Sequence, residues 1–283
     1  MKLTQVEIRR AVRAALAEDL GGGDATTLAT VPRAARSVAR MNAREPLVVA
    51  GLAFAEFAFR QLAPGIKIQR FARDGQRVDA GKTLLKISGS ARAILSAERV
   101  ALNFLQRLSG VATSTARFVE AIKGTQTKIL DTRKTTPGWR RFEKYAVTCG
   151  GGKNYRIGLF DQILIKDNHL AALRKEKPNA IAAAVWRARK KFPKLKVEVE
   201  ADTLAQVAQA ADAGADIILL DNMDLKTLRA AVKIVAGRAQ TEASGGVNLQ
   251  TVRGLAQTGV DFISVGAITH SARAVDIGLD FEQ

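Results

Sequence analysis

The chain has 283 residues, enough for one large domain or two modest ones, and its 47% hydrophobic content can fill a core, which argues against a disordered protein. A net charge of +17 and a pI near 10.4 point to anionic partners. Yet the 44 Lys and Arg are spread along the chain, aromatics are 5%, and zinc-finger spacings and aromatic RNA-binding motifs are missing, so no nucleic acid is expected as partner.

Cys149 is the only cysteine and there are two histidines, which excludes an internal disulfide and a Cys/His zinc site; any metal is held by oxygen. The N-terminus, MKLTQVEIRR, has no apolar signal core, and the apolar run over 47–59 is interrupted by Glu56 and too short for a bilayer, so a cytoplasmic protein with no membrane segment is expected. Thr4 and Glu7 form a capping-box pattern that predicts a helix over 5–17. The following EDLGGGDATT superficially resembles an acidic diphosphate loop, but it follows a helix instead of a strand, which favours a structural helix exit. Strands are expected at 37–41, 47–50, 66–71 and 83–87, with a helix over 51–62 and a turn at Asp74-Gly75. Gly75, Gly81, Lys82 and Thr83 nearly spell a Walker loop, but the spacing is one residue too long and a strand follows. Residues 91–108 predict a helix with a wide apolar face, Gly110 its end or a kink, and 112–123 a second helix.

From Ile129 the pattern becomes strand, loop, helix, repeated, with strands expected at 128–133, 162–166, 196–201, 216–221, 240–244 and 261–265 and helices at 180–192, 203–213 and 225–235. Six such units favour an incomplete parallel β/α barrel over an open sheet. The expected fold is therefore α/β, with an N-terminal mixed α+β sandwich domain over 1–110, the barrel over 111–270, and a tail over 271–283 that packs back on the first domain.

In a barrel the strand ends share one mouth, which here collects Arg133, Lys134, Lys166, Glu200, Asp221, Ser244, Gly245, Gly246 and Gly266. The glycines of EASGGV and the later VGA suit a monophosphate held by backbone N–H groups. Glu200 and Asp221 end consecutive strands, where paired carboxylates can hold Mg²⁺, bond ribose hydroxyls or stabilise positive charge on a sugar ring. Their other reading, as helix N-caps, suits Asp202 and Asp224 better.

The blocks DTRKTTPGWRRFEKYAV, CGGGKNYR, IKDNH and SAERVALNFLQRLSG resemble those of the quinolinate phosphoribosyltransferase family, also called nicotinate-nucleotide pyrophosphorylase (carboxylating). The resemblance implies that phosphoribosyl pyrophosphate and quinolinate give nicotinate mononucleotide, pyrophosphate and CO₂, with Mg²⁺ as cofactor. It implies that Arg99, Thr132, Arg133, Tyr155, Arg156 and Lys166 bind quinolinate, with Arg99 contributed across the interface of a homodimer or dimer-based oligomer. Lys134, Glu200 and Asp221 would be catalytic, and Ser244, Gly245, Gly246, Val265, Gly266 and Ala267 would hold the phosphoribosyl group with them. One departure stands out: many members read Asn-His-Arg where this chain has Asn154-Tyr155-Arg156, which replaces an imidazole by a neutral phenol. Three alternatives stay open at this point: a molybdate-operon paralogue with another substrate, a phosphate-gripping barrel lyase with Lys166 as its imine-forming amine, and a non-enzymatic basic binding protein.

Overall fold

The structure, a computed structural model, describes residues 1–282. The chain runs α1 (Gln5–Leu20), α2 (Ala25–Thr30), β1 (Arg36–Ala43), β2 (Leu47–Val48), α3 (Leu52–Leu62), β3 (Lys67–Arg70), β4 (Arg77–Val78), β5 (Thr83–Ser90), α4 (Ala91–Ala121), β6 (Lys128–Leu130), α5 (Arg140–Cys149), β7 (Ile163–Ile165), α6 (Asp167–Ala171), α7 (Ala180–Lys191), β8 (Val197–Ala201), α8 (Leu204–Asp212), β9 (Ile217–Asp221), α9 (Leu225–Val235), β10 (Gln240–Ser244), α10 (Val252–Ala256), β11 (Phe262–Ser264), α11 (Ala267–His270) and β12 (Ile277–Phe281). It divides into two compact units. The first holds residues 1–116, 136–151 and 271–282; the second holds 117–135 and 152–270.

In the first unit an antiparallel sheet has the order β12-β1-β5-β3, and the C-terminal strand pairs with β1 from Ala39↔Phe281 to Ala43↔Ile277. α1 starts at the Thr4–Glu7 capping box and buries Ile8, Val12 and Leu16 at helical spacing. The EDLGGGDATT segment has a structural role: Asp24 caps α2 by accepting the Thr27 N–H at 2.9 Å and also accepts the Ser96 hydroxyl at 2.8 Å.

The helix does not end at Gly110, and α4 is one helix of 31 residues. The glycine is needed for another reason. A Cβ there would lie 2.0 Å from the Arg273 carbonyl oxygen, so its absence lets the C-terminal segment lie directly on the helix. Gln106 fixes that contact, donating its amide to Ile277 O at 2.8 Å and accepting from Val275 N at 3.2 Å. α5 lies in the same unit: Trp139 stacks on Phe104 at 4.9 Å, and Phe54 meets Phe104 and Phe142 at 4.9 and 5.1 Å. Buried Glu143 accepts from Arg107 at 2.6 Å and from the Thr136 hydroxyl at 2.8 Å, fixing the chain between the end of β6 and α5.

The second unit is a six-stranded sheet of order β6-β11-β10-β9-β8-β7 with every pair parallel. Each strand neighbours its successor in the chain except at β6 and β7. That is the order of a ring with one seam left open, the incomplete barrel expected. Lys153 pairs with Leu130 along the outer edge of β6. On β8 the residues alternate: Val197, Val199 and Ala201 are buried toward α7 and α8, while Glu198 and Glu200 point the opposite way. Asp224 caps α9, as expected, but α8 is capped by Thr203 and Gln206 in a capping box; Asp202, expected in that role, is not the cap.

Candidate active site

A cavity of about 860 Å³ opens at the C-terminal ends of the second unit's strands. Its wall follows the alternation of the strands. Leu164 and Lys166 line it from the end of β7, Glu200 from β8, Leu219 and Asp221 from β9, Glu242 and Ser244 from β10, and Ser264 and Gly266 from β11. These are every second residue, the face that a parallel strand turns inward. Register aligns them: Glu200 lies beside Leu219 and Leu219 beside Glu242, and Asp221 pairs with Ser244.

Thr132, Arg133 and Lys134 reach the cavity from the loop after β6, where Lys134 N donates to Thr132 Oγ1 at 3.0 Å and Thr269 Oγ1 donates to Lys134 O at 2.8 Å. Tyr155 and Arg156 reach it from the loop before β7. Asp131 holds that loop, accepting from Asn154 Nδ2 at 2.6 Å and from Tyr155 N at 2.8 Å. Arg156 is 8% exposed; its Nη1 donates to Gln162 O at 2.9 Å, while its buried Nε finds no acceptor. A buried guanidinium N–H of this kind is open to an oxygen acceptor from the cavity. Lys166 Nζ sits 2.6 Å from Glu200 Oε2, so the lysine is a bound cation aimed by a carboxylate across the mouth.

The opposite side is glycine-built. Gly245 has φ +100° and Gly246 φ +58°, and a Cβ on Gly245 would lie 2.0 Å from Asn222 Oδ1. Asn222, itself at φ 51°, donates from Nδ2 to Asp221 at 2.7 Å and from its backbone N to Ser244 O at 3.0 Å. The β9 and β10 ends are thereby locked together under the Ser244-Gly245-Gly246 loop. At Gly266 an added Cβ would come within 3.1 to 3.2 Å of the His270 ring and the Lys134 side chain, so the missing side chain lets both converge there.

Of the residues expected from the sequence, Thr132, Arg133, Lys134, Tyr155, Arg156, Lys166, Glu200, Asp221, Ser244, Gly245, Gly246, Gly266 and Ala267 all line this one cavity. Two do not. Val265 is 1% exposed and its N–H donates to Leu130 O at 2.9 Å, so it lies beneath the rim with no donor left for a phosphate. Arg99 belongs to α4 in the first unit, is exposed, and is not among the lining residues. Sequence reasoning also passed over Glu242, Ser264, Asn222 and His270. The signal for Glu242 was an acid inside a strand, TEAS, at the same inward parity as Ser244.

Beneath the cavity the Tyr155 hydroxyl donates to Glu198 Oε2 at 2.6 Å, and Gln162 Nε2 donates to the same oxygen at 2.7 Å. Ser264 donates to Glu242. Burial raises the affinity of both carboxyls for protons, and Glu198 raises that of Glu242 further. Burial and Glu198 likewise push the Tyr155 phenol up, which keeps it a neutral donor.

No group of three or more His, Cys, Asp or Glu among the described residues forms a metal cluster. Glu200 and Asp221 nevertheless supply two oxygen donors at the mouth, which suits an ion such as Mg²⁺ that keeps its waters and takes further oxygens from a substrate's phosphates. No helix of the described residues is long and apolar enough to cross a membrane.

Comparison with known proteins agrees with this geometry. The chain matches the family models described as the quinolinate phosphoribosyl transferase N-terminal domain, over residues 24–109, and C-terminal domain, over residues 111–280. It is similar to the quinolinate phosphoribosyltransferase (decarboxylating) 2b, mitochondrial, of Nicotiana tabacum, at 40% identity over 98% of this chain and 82% of that protein. It is also similar to the nicotinate-nucleotide pyrophosphorylase (carboxylating) of Mycobacterium leprae, at 43% identity over 96% of each. The solved structure of the nicotinate-nucleotide pyrophosphorylase from Francisella tularensis superposes with a TM-score of 0.93 at 42% identity, covering 99% of this chain and 98% of that one.

Proposed function

The chain belongs to the quinolinate phosphoribosyltransferase family, and from that premise we infer that it transfers phosphoribosyl from phosphoribosyl pyrophosphate to quinolinate with decarboxylation, giving nicotinate mononucleotide, pyrophosphate and CO₂ in de novo NAD biosynthesis. The observation that carries this reading to the residues is that one cavity joins Arg133, Arg156 and Lys166 to the glycine loop Ser244-Gly245-Gly246. A dicarboxylate and a sugar phosphate thus have complementary walls in the same space. A basic nucleic-acid binder would instead spread its cations over a face.

In our reading Arg133, Arg156 and Lys166, with Thr132 and Tyr155 beside them, bind the two carboxylates of quinolinate, each charge-assisted bond contributing on the order of 1.5 to 3 kcal/mol. Ser244, Gly245, Gly246, Gly266 and Ala267 hold the 5′-phosphate, and Lys134 faces the pyrophosphate. The pyridine nitrogen attacks the anomeric carbon as the bond to pyrophosphate breaks, and Glu200 and Asp221 stabilise the positive charge that develops on the ribose ring. Glu200 and Asp221 are the residues that would hold a Mg²⁺ ion alongside the substrate's phosphates, and the ion would supply neutralisation of charge on the pyrophosphate leaving group. After transfer the ring nitrogen is cationic. The bond from C2 to its carboxylate breaks, the electron pair stays on C2 beside that nitrogen, CO₂ leaves, and a proton takes its place; no organic cofactor is required.

Arg99, exposed on α4 and outside the cavity wall, suits a role in the site of a second copy, and we propose a homodimer in which it reaches across. The test of the function is incubation with quinolinate, phosphoribosyl pyrophosphate and Mg²⁺ while following nicotinate mononucleotide and CO₂. Product in equal amounts supports it. Borohydride trapping of a Lys166 imine with a carbonyl substrate, and no transfer, would move the protein to the lyases.

A further inference from the structure

Gln162 and Glu198 do not line the cavity, yet they close a ring of contacts around its buried arginine, Arg156. Arg156 Nη1 donates to the backbone oxygen of Gln162 at 2.9 Å, and the Gln162 amide donates to Glu198 Oε2 at 2.7 Å. The Tyr155 hydroxyl donates to that same oxygen at 2.6 Å, and the Arg156 guanidinium lies over the Tyr155 ring, its carbon 5.6 Å from the centroid. Glu198 is fully buried on β8, so the oxygen that gathers both donors is fixed by a strand of the sheet. Tyr155 is tied at both ends: its N–H is held by Asp131 just after β6 and its hydroxyl by β8, so it bridges the open seam between β6 and β7. A phenol has one O–H. Tyr155 gives it to Glu198 and has none for a substrate carboxylate, which removes the direct contact that its place in the cavity wall suggests. What the ring leaves open is Arg156 Nε, buried and without an acceptor, in a guanidinium whose plane is set by Gln162 and Tyr155. Because a guanidinium is a planar fork, its orientation decides whether its N–H groups meet a carboxylate's lone pairs.

We propose that Glu198 and Gln162 are positioning residues: together with the Tyr155 hydroxyl they hold the Arg156 guanidinium so that its Nε is presented to a pyridine carboxylate, and Tyr155 acts on the substrate only through Arg156. The proposal rests on the quinolinate reading of the cavity and deepens it, because part of the affinity for the dicarboxylate is assigned to residues outside the cavity wall. It also gives the tyrosine at 155 a physical sense. A phenol carries its polar tip farther from the backbone than an imidazole does, which is what a partner on β8 requires.

The test is a double-mutant cycle on the full chain, read by calorimetric titration with quinolinate. Tyr155→Phe keeps the ring over Arg156 and removes the hydroxyl; Gln162→Leu keeps the backbone acceptor and removes the amide. Each should weaken quinolinate binding roughly three- to tenfold, the range of one net hydrogen bond, and leave phosphoribosyl pyrophosphate affinity within about twofold of wild type. In turnover both should raise the KM for quinolinate with kcat near wild type, since the binding lost is common to ground state and transition state. In an Arg156→Lys background, which lacks the fork, Tyr155→Phe should have no further effect. Additive losses from Tyr155→Phe and Arg156→Lys would put the hydroxyl on the substrate itself, and wild-type quinolinate affinity in folded Gln162→Leu would show that the ring does not hold Arg156; either overturns the proposal, as does a fall in kcat with KM unchanged. If Arg156→Lys does not fold, Gln162→Leu alone decides, because a residue outside the cavity wall touches no ligand there. A wild type that binds no quinolinate would refute the reading of the site and the proposal with it, whereas a wild type that binds, with additive losses in the cycle, refutes the proposal alone.

Discussion

Replacing Gly245 by alanine isolates the proposed phosphate grip from the rest of the site. At φ +100° an L-residue meets a conformational cost of about 1 to 2 kcal/mol. The new methyl would also lie 2.0 Å from Asn222 Oδ1 and 3.1 Å from Asn222 Cα, far inside van der Waals contact, so either the loop or the Asn222 brace between β9 and β10 must shift by roughly an ångström. If this loop holds the 5′-phosphate as proposed, a shift of that size would break at least one of its N–H contacts. A charge-assisted bond of about 1.5 to 3 kcal/mol corresponds to a weakening of roughly 10- to 150-fold. The neighbouring Gly246 provides the control. Its φ of +58° is one that asparagine adopts, and nothing lies within 4 Å of an added Cβ, so Gly246→Asn should weaken binding by no more than roughly threefold. Calorimetric titration with phosphoribosyl pyrophosphate reads both, with thermal denaturation confirming that each variant is folded. Wild-type affinity in folded Gly245→Ala, or equal losses in both variants, would refute the assignment of this loop to the phosphate.

Gly110→Ala should destabilise by about 1 to 3 kcal/mol, although the same change in an open helix stabilises by about 1 kcal/mol, because the methyl collides with the Arg273 carbonyl; a denaturation midpoint at or above wild type would show that the C-terminal segment does not lie on α4. Arg133→Ala should weaken quinolinate binding roughly 10- to 150-fold while phosphoribosyl pyrophosphate binds as before, a pattern that separate titrations check. Arg99→Ala and Lys134→Ala should each be inactive, and if Arg99 serves a partner's site, the co-refolded mixture should regain roughly a quarter of wild-type activity through mixed dimers with one intact site; a mixture as inactive as its components would remove the cross-subunit role.

Most of the parallel strands were legible as short apolar or alternating runs ended by a charged or glycine residue, and the structure puts all six within three residues of their expected bounds. The cavity was legible for a related reason. Residues at strand ends share a mouth whatever the details of the loops between them, so Arg133, Lys166, Glu200, Asp221 and Ser244 could be grouped without coordinates. What failed were contacts between residues distant in sequence. Gly110 reads as a helix breaker by propensity, but its small size serves the close approach of Arg273, 163 positions away in the chain by numbering. Val265 shares a strand end with Gly266 yet faces away from the mouth and gives its N–H to β6. Glu198 and Glu242 were not legible from the last one or two residues of their strands, because a parallel strand presents every second residue along its length to the interior. Tyr155 shows the converse: its departure from the family's histidine was visible in sequence, but its partner, Glu198, was not.

The most direct test of the account is a crystal structure with nicotinate mononucleotide bound. The phosphate should lie on the backbone N–H groups of Gly245 and Gly246, and the pyridine carboxylate should reach Arg133 and the buried Nε of Arg156, both within the cavity at the strand ends. A nucleotide bound outside that cavity, or inside it with its phosphate on the arginines and its ring against the glycine loop, would contradict the arrangement proposed.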